Sequence, residues 1–353
     1  MGTGAKILLW SLAGLGVAAG AIALASRAFS APRYEGPVND HFDGKRFHNL
    51  EPLRHSSTPA VLKWMITREP GFWPDFVATE PGPRPPGRIG PDELRVTFVN
   101  HATVLIQFDG VNVLTDPIWS DRTSPVSFAG PRRRQAPGIR LEDLPPLDAV
   151  LISHNHYDHM DTPTLRRLSK SGAPPLYVGL GNDRFLELES IGPAIPLDWW
   201  ESRALPNGMR IWSVPAQHFS SRGTMDRDAN LWCGFVLESA SGEAVYFAGD
   251  TGEGPHFEMI AERFPRIRLA ILPIGAYLPR WFMAPVHIGP EEAIRAHRTL
   301  GADRAMVMHF GTFPLADDGF EEAPQFLQTL LRSIPESERP DIWIPNQGES
   351  RGF

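Results

Sequence analysis

Four apolar runs in this chain each stop on a histidine or an aspartate. DAVLIS (148–153) leads into His154, RIWSVPAQ (210–217) into His218, AVYFAG (244–249) into Asp250, and RAMVM (304–308) into His309. Short, continuous apolar runs have the look of strands buried on both faces. An open α/β sheet gathers its functional groups outside the carboxyl ends of its strands. The expectation is a layered α/β domain, helices outside and sheet inside, in which strand ends bring imidazole and carboxylate together.

The first of these strand ends is also the densest. SHNHYDHMD (153–161) holds three of the 12 histidines of a 353-residue chain. Spacings of two and five residues do not share a helix face, so a turn must converge His154, His156 and His159. Neutral imidazole is a common transition-metal ligand, with carboxylate a frequent companion. The candidate set is His154, His156, Asp158, His159, His218, Asp250 and His309. One catalytic zinc takes about three protein ligands. Seven suit two metals about 3.5–4 Å apart with a shared carboxylate. Asp158 and Asp250 are candidate catalytic residues as well as ligands, since each can steer a proton. No serine or cysteine nucleophile motif is visible. The one cysteine, Cys233, excludes an intrachain disulfide and a cysteine-based zinc cluster, and its LWCGFVL setting reads as a buried thiol.

Around these residues the chain divides into three. Ile7–Ala25 is uncharged and long enough to cross a bilayer as a helix. We read residues 1–25 as an uncleaved anchor, with a cleaved signal peptide as the alternative. The anchor reading places the domain at a membrane surface. Lys6 on one flank and Arg27 and Arg33 on the other do not set the orientation. Residues 26–93 are rich in proline and polar residues and read as an irregular arm. From Leu94 onward, antiparallel strands are expected, with Asp109–Gly110 as a tight hairpin turn. Helices are expected from Thr162 (as cap) with Pro163, and from Gly289–Pro290 to Gly301. The net charge of −7 supplies no cationic field for nucleic acid.

Residues 94–353 read as the catalytic domain, and over roughly residues 94–325 a resemblance becomes specific. HNHYDH (154–159) matches the HxHxDH signature of the metallo-β-lactamase fold superfamily. LTDPIWSDRTSP, GPRRR, FAGDTG, IGAYLPRWFM, GPEEAIRAH and HFGTFPLA make the chain similar to N-acylphosphatidylethanolamine-hydrolysing phospholipase D, and the arm segment GPVNDHFDGKRFHN looks like that of bacterial members. The resemblance implies a four-layer αβ/βα sandwich with the metals at one edge. It implies two zinc ions, the first held by His154, His156 and His218, the second by Asp158, His159 and His309, with Asp250 bridging. It implies that Asp116 orients ligand histidines from behind. Val286 departs from the glutamine expected in the animal enzymes.

The implied reaction is hydrolysis of a phospholipid at a membrane surface, releasing N-acylethanolamine and phosphatidate. Three residues are candidate substrate contacts: His287 near the leaving group, Tyr157 inside the ligand loop, and Trp281 in the WFM turn as an apolar lip. Arg132–Arg134 reads as a solvated turn or as a dock for anionic headgroups. His101 reads as a packed, hydrogen-bonded core histidine, with a cleft-lining role as the alternative. Two rivals stay open: another hydrolase on the same fold, such as a lactonase or a nucleotide or RNA phosphodiesterase, and a membrane-tethered metal-binding protein without turnover. An oligomer is compatible with all of them.

Overall fold

The run from Leu94 folds into three antiparallel strands, β1 (Leu94–Asn100), β2 (Thr103–Phe108) and β3 (Val111–Thr115). Asp109 and Gly110 join the last two with φ of 50° and 76°, the left-handed pair that a two-residue hairpin of this twist requires. The chain is described here from a computed structural model, over residues 27, 29–53 and 57–353. The apolar Ile7–Ala25 segment and His55 lie outside the described residues. Among the described residues, no helix is long and apolar enough to cross a membrane.

Two seven-stranded sheets make the body of the protein. In the first, the parallel strands β4 (Ala149–Ile152), β5 (Leu176–Gly179) and β6 (Ala194–Leu197) extend the hairpin from β3. In the second, β7 (Ser202–Ala204), β8 (Arg210–Val214) and β9 (Gly234–Glu238) run antiparallel into β10 (Ala244–Phe247). From there β11 (Ile267–Pro273), β12 (Arg304–Met308) and β13 (Ile342–Trp343) continue in parallel. The last strand, β14 (Ser350–Gly352), returns to pair with β1.

Alternation along each strand sorts side chains into layers. Val96, Phe98, Ile106 and Leu151 of the first sheet meet Phe235, Leu237, Phe247 and Ile271 of the second in one inter-sheet core. Burying each such side chain contributes about 1.5–3 kcal/mol. The opposite faces carry helices. Thr162–Lys170 and Asn182–Leu188 cover the first sheet through Leu165, Leu168 and Leu186. His256–Arg263, Pro290–Leu300 and Glu322–Ser333 cover the second through Ile260, Ile294 and Leu327. The result is the four-layer αβ/βα sandwich.

Three details depart from the sequence reading. The helix at Thr162 is capped one residue earlier, by Asp161, whose carboxylate takes hydrogen bonds from Ser120 and Thr164. The arm contains a helix, Thr58–Thr67, and elsewhere the arm joins the core, because Phe42 and Phe47 are buried in the same apolar cluster. The arginine run is split. Arg132 pairs with Asp121 at the surface, and Arg134 reaches the Asp75 carbonyl. Arg133 is buried, donates to Asn100, Ile118 and Ser120, and has its pKa lowered by burial to about 10. It cannot meet a lipid headgroup, because its donors are taken up inside the protein.

Candidate metal centre

The four strand ends named at the outset come together at one edge of the sandwich. His154 follows β4, His218 follows β8, Asp250 follows β10 and His309 follows β12. The turn after β4 folds back, with the amides of His159 and Met160 donating to the His156 carbonyl, and so brings His156, Asp158 and His159 to the same place. The sheets close tightly here. A Cβ on Gly249 would lie 2.6 Å from that of Ser153, and one on Gly275 would lie 1.8 Å from the His309 carbonyl oxygen. Glycine is required at both positions because the backbones nearly touch.

All seven candidates fall into overlapping groups whose ligand atoms lie within 4.8 Å of one another. His154 Nε2 is 2.8 Å from His156 Nδ1, and His218 Nε2 is 3.4 Å from the same atom. His159 and His309 bring their Nε2 atoms to 3.2 Å. Asp250 Oδ2 stands 3.2 Å from each of these two and 4.0 Å from His218 Nε2, between the groups. Asp158 Oδ2 lies 3.3 Å from His159 Nε2 and 3.4 Å from His309 Nε2.

These residues fit metal ions on their donor chemistry. Bare imidazole nitrogens do not face one another without a proton or cation between them. A tetrahedral ion with bonds of about 2.0–2.1 Å sets its ligands roughly 3.3 Å apart, close to several of these separations. Burial, then the neighbouring imidazoles, pushes His154 and His218 well below the ordinary range, and burial takes His156 to about 4. They are neutral donors. Burial also opposes charge on His309, but Asp250 and Asp158 raise it to about 9. Burial by itself would raise Asp250, yet His159, His309 and His287 hold its carboxyl well below the usual range. The edge is built for positive charge beside two carboxylates, and Asp250 Oδ1 has no hydrogen-bond partner among the described residues.

Partners behind the ligands fix their orientation. Asp116, fully buried, accepts from the Ser153 amide at 2.7 Å, from Ser153 Oγ at 2.6 Å and from His159 Nδ1 at 2.7 Å. The His218 Nδ1 proton goes to the Val286 carbonyl at 2.9 Å. At Val286 the backbone does this work, whatever the side chain. Asp116 (φ 33°), His101 (φ 49°) and His309 (φ 66°) all have left-handed backbone, a conformation that costs about 1–3 kcal/mol each and that the surrounding packing must impose.

The other candidates take distinct places. His287 joins the centre, with Nδ1 3.8 Å from Asp250 Oδ2 and its ring 5.1 Å from that of His218. Trp281 is half exposed with its ring tilted against that of Phe282, which meets Trp64 of the arm helix at 5.0 Å. Tyr157 points elsewhere. It lies under Arg222 at 4.1 Å and lines a separate cavity of about 730 Å³ with Ser120, Arg122 and Arg166. His256 is buried on Thr251 and supports the loop after Asp250. Cys233 is buried, with its thiol pushed up by burial to about 12. One contributor was not anticipated. Asn49 of the arm clasps the His218 backbone with two hydrogen bonds of 2.7 and 2.9 Å. Its motif carried a resemblance, but no spacing links it to a ligand 169 residues away.

Residues 111–310 match the family model for the beta-lactamase superfamily domain. The chain belongs to the metallo-β-lactamase superfamily. It is 39% identical over 243 residues to N-acyl-phosphatidylethanolamine-hydrolyzing phospholipase D 1 of Caenorhabditis elegans, covering 66% of this chain and 68% of that one. It is 30% identical over 244 residues to a UPF0173 metal-dependent hydrolase of Pyrobaculum neutrophilum, covering 68% of this chain and 94% of the relative. Among solved structures, the metallo hydrolase Igni18 from Ignicoccus hospitalis superposes with a TM-score of 0.56 at 23% identity, over 74% of this chain and 98% of that one. An isothiocyanate hydrolase from Delia radicum gut bacteria does so with 0.58 at 21%, over 73% and 99%. This superfamily member is a metal-dependent hydrolase with a His/Asp cluster capable of holding metal.

Proposed function

We propose that this chain is a binuclear zinc phosphodiesterase of the phospholipase D type, hydrolysing N-acylphosphatidylethanolamine to N-acylethanolamine and phosphatidate. The observation that carries it is the complete donor set, two histidine groups flanking one carboxylate, in a chain so similar to an enzyme named for that reaction. His154, His156 and His218 would hold one ion, Asp158, His159 and His309 the other, with Asp250 between them. When bound, such a pair lowers the pKa of water and neutralises phosphoryl oxygens. The protein's own residues do the rest. Asp116, Ser153 and the Val286 carbonyl keep the imidazoles aimed. Asp158 and Asp250 can accept the proton that water gives up. His287, beside Asp250, would serve the departing oxygen of the leaving group.

A substrate with several acyl chains stays in the bilayer, so the reaction belongs at a membrane surface. Supporting this are the exposures of Trp281 (50%), Leu62 (54%), Met65 (61%) and Ile66 (83%), with Trp64 and Phe282 joining the arm helix to the Trp281 turn. Trp favours the interface between water and hydrocarbon. On this reading Ile7–Ala25 tethers the chain to a bacterial inner membrane. The acidic net charge argues against a nucleic-acid substrate.

Purified protein given one defined N-acylphosphatidylethanolamine, a lactone and a bis-aryl phosphate tests the reading. Release of phosphatidate and N-acylethanolamine is expected. Turnover of the lactone with an inert phospholipid would instead favour another metal-dependent hydrolase, a role consistent with the UPF0173 relative. Trp281→Ala is expected to slow hydrolysis of vesicle-borne lipid several-fold while sparing a small soluble phosphodiester. Equal losses on both would remove Trp281 from lipid entry.

A further inference from the structure

His101 is a buried histidine, absent from the seven ligand candidates, yet it touches two of them. Its Nε2 lies 2.9 Å from Asp158 Oδ2. Its backbone carbonyl accepts the His309 amide at 2.8 Å, and its ring sits 4.0 Å from the His309 ring. Both contacts fall in the Asp158–His159–His309 group. The ring nitrogen on the far side, Nδ1, is buried and has no partner among the described residues, where the bond to Asp158 is the one hydrogen bond the imidazole makes. Asp158 is acceptor-only as a carboxylate, so His101 must donate from Nε2.

The position of His101 is itself imposed. It occupies the turn between β1 and β2 with φ of 49°. Its amide donates to Thr312 Oγ1 at 3.1 Å. Next to it, Asn100 donates to the Ile118 carbonyl at 3.2 Å and accepts from the buried Arg133 at 3.0 Å. Arg133 also covers the ring of Phe313, whose edge meets the His101 ring. A buried guanidinium without a carboxylate partner is costly to place. Here one donor goes to Asn100, next to His101, and two go to the Ile118 and Ser120 carbonyls.

We propose that His101 is a positioning residue for one metal subsite, holding Asp158 through its Nε2–H and His309 through its backbone carbonyl. The proposal rests on the binuclear reading above. Its consequence is an asymmetry: losing the His101 donor weakens the Asp158–His159–His309 subsite and leaves the His154–His156–His218 subsite intact. Partners of this kind are worth about 10–100-fold in metal affinity.

The test is metal titration of chelator-stripped protein against a competing chromogenic chelator, with cobalt(II) spectra as a second readout. Wild type is expected to take up two equivalents. His101→Phe, which keeps the ring and loses the donor, is expected to retain one tight site and to weaken the other about 10–100-fold. His101→Gln, whose amide nitrogen reaches the same place, is expected to recover most of that loss and the wild-type cobalt spectrum. Nitrogen-15 histidine spectra of zinc-loaded wild type should show a proton on His101 Nε2. Two equally tight sites in His101→Phe, equal weakening of both, or no recovery in His101→Gln would overturn the proposal while leaving the binuclear reading standing. A proton-free Nε2 in wild type would make His101 a ligand and overturn it too, and this spectrum decides even if His101→Phe does not fold. A wild type that binds a single ion takes down the binuclear reading and this assignment together.

Discussion

Asp250→Asn is expected to lower kcat/KM by a factor on the order of 10² or more while leaving the fold in place, because metal stabilisation of charge supplies several kcal/mol. Asp250 sits at the end of β10, with Oδ2 3.2 Å from both His159 Nε2 and His309 Nε2 and within 4.0 Å of His218 Nε2. It is the one carboxylate placed between the two donor groups. An amide has the same shape but carries no charge and presents one oxygen in place of two. Packing around the residue changes little, since Gly249 and Thr251 keep the loop close to Ser153 and Gln217. Rates, metal content and thermal unfolding measured together check this. Near-normal turnover in a folded Asp250→Asn protein would reduce Asp250 to a turn residue.

Asp116→Ala is expected to damage both stability and metal binding. The side chain is fully buried and accepts three hydrogen bonds, from the Ser153 amide, Ser153 Oγ and His159 Nδ1. Removing it strands all three donors and leaves a cavity. Breaking a buried charge-bearing pair costs about 3–5 kcal/mol. Releasing His159 should also weaken metal affinity about 10–100-fold. Asp116→Asn separates the two effects. It restores much of the volume, but its amide group can present a donor where His159 Nδ1 needs an acceptor, so metal loss is expected to exceed the loss of stability. Chemical denaturation of each variant with and without bound zinc checks this. If Asp116→Ala keeps wild-type affinity, Asp116 does not orient the ligands.

The architecture was legible because it rests on local signals. Apolar runs such as DAVLIS and RAMVM have the look of buried strands, and both became interior strands of a sheet, β4 and β12. Asp109–Gly110 and Gly289–Pro290 mark turn and cap through backbone chemistry within a few residues. The ligand candidates were legible for a related reason. Each stands in the segment that follows a strand, strand ends collect at a sheet edge, and the turn after β4 folds the remaining ligands back to the same edge.

The supporting groups were legible in type but not in partner. Asp116 drew notice through a resemblance, and the structure shows its three donors. His101 read as a core histidine; it is one, but its bond goes to Asp158, 57 residues away. Arg133 stood in a run of three arginines and looked solvated, and burial against Asn100 separates it from its neighbours. Tyr157 lies within the ligand loop, and its ring packs under Arg222 at the wall of another cavity.

The chain's own pattern therefore determined the strands that lead into the site, the Asp109–Gly110 turn beside them, and which imidazoles and carboxylates wait beyond their ends. Only the tertiary structure decided which donor faces which acceptor: that Asn49 of the arm clasps His218, that Val286 serves by its carbonyl, and that His101 braces Asp158 and His309. The physical reason is range. Strand and turn preferences act over a few residues and repeat with the backbone period. A hydrogen bond between buried side chains depends on the packing of two sheets closing to contact, and no local period records it.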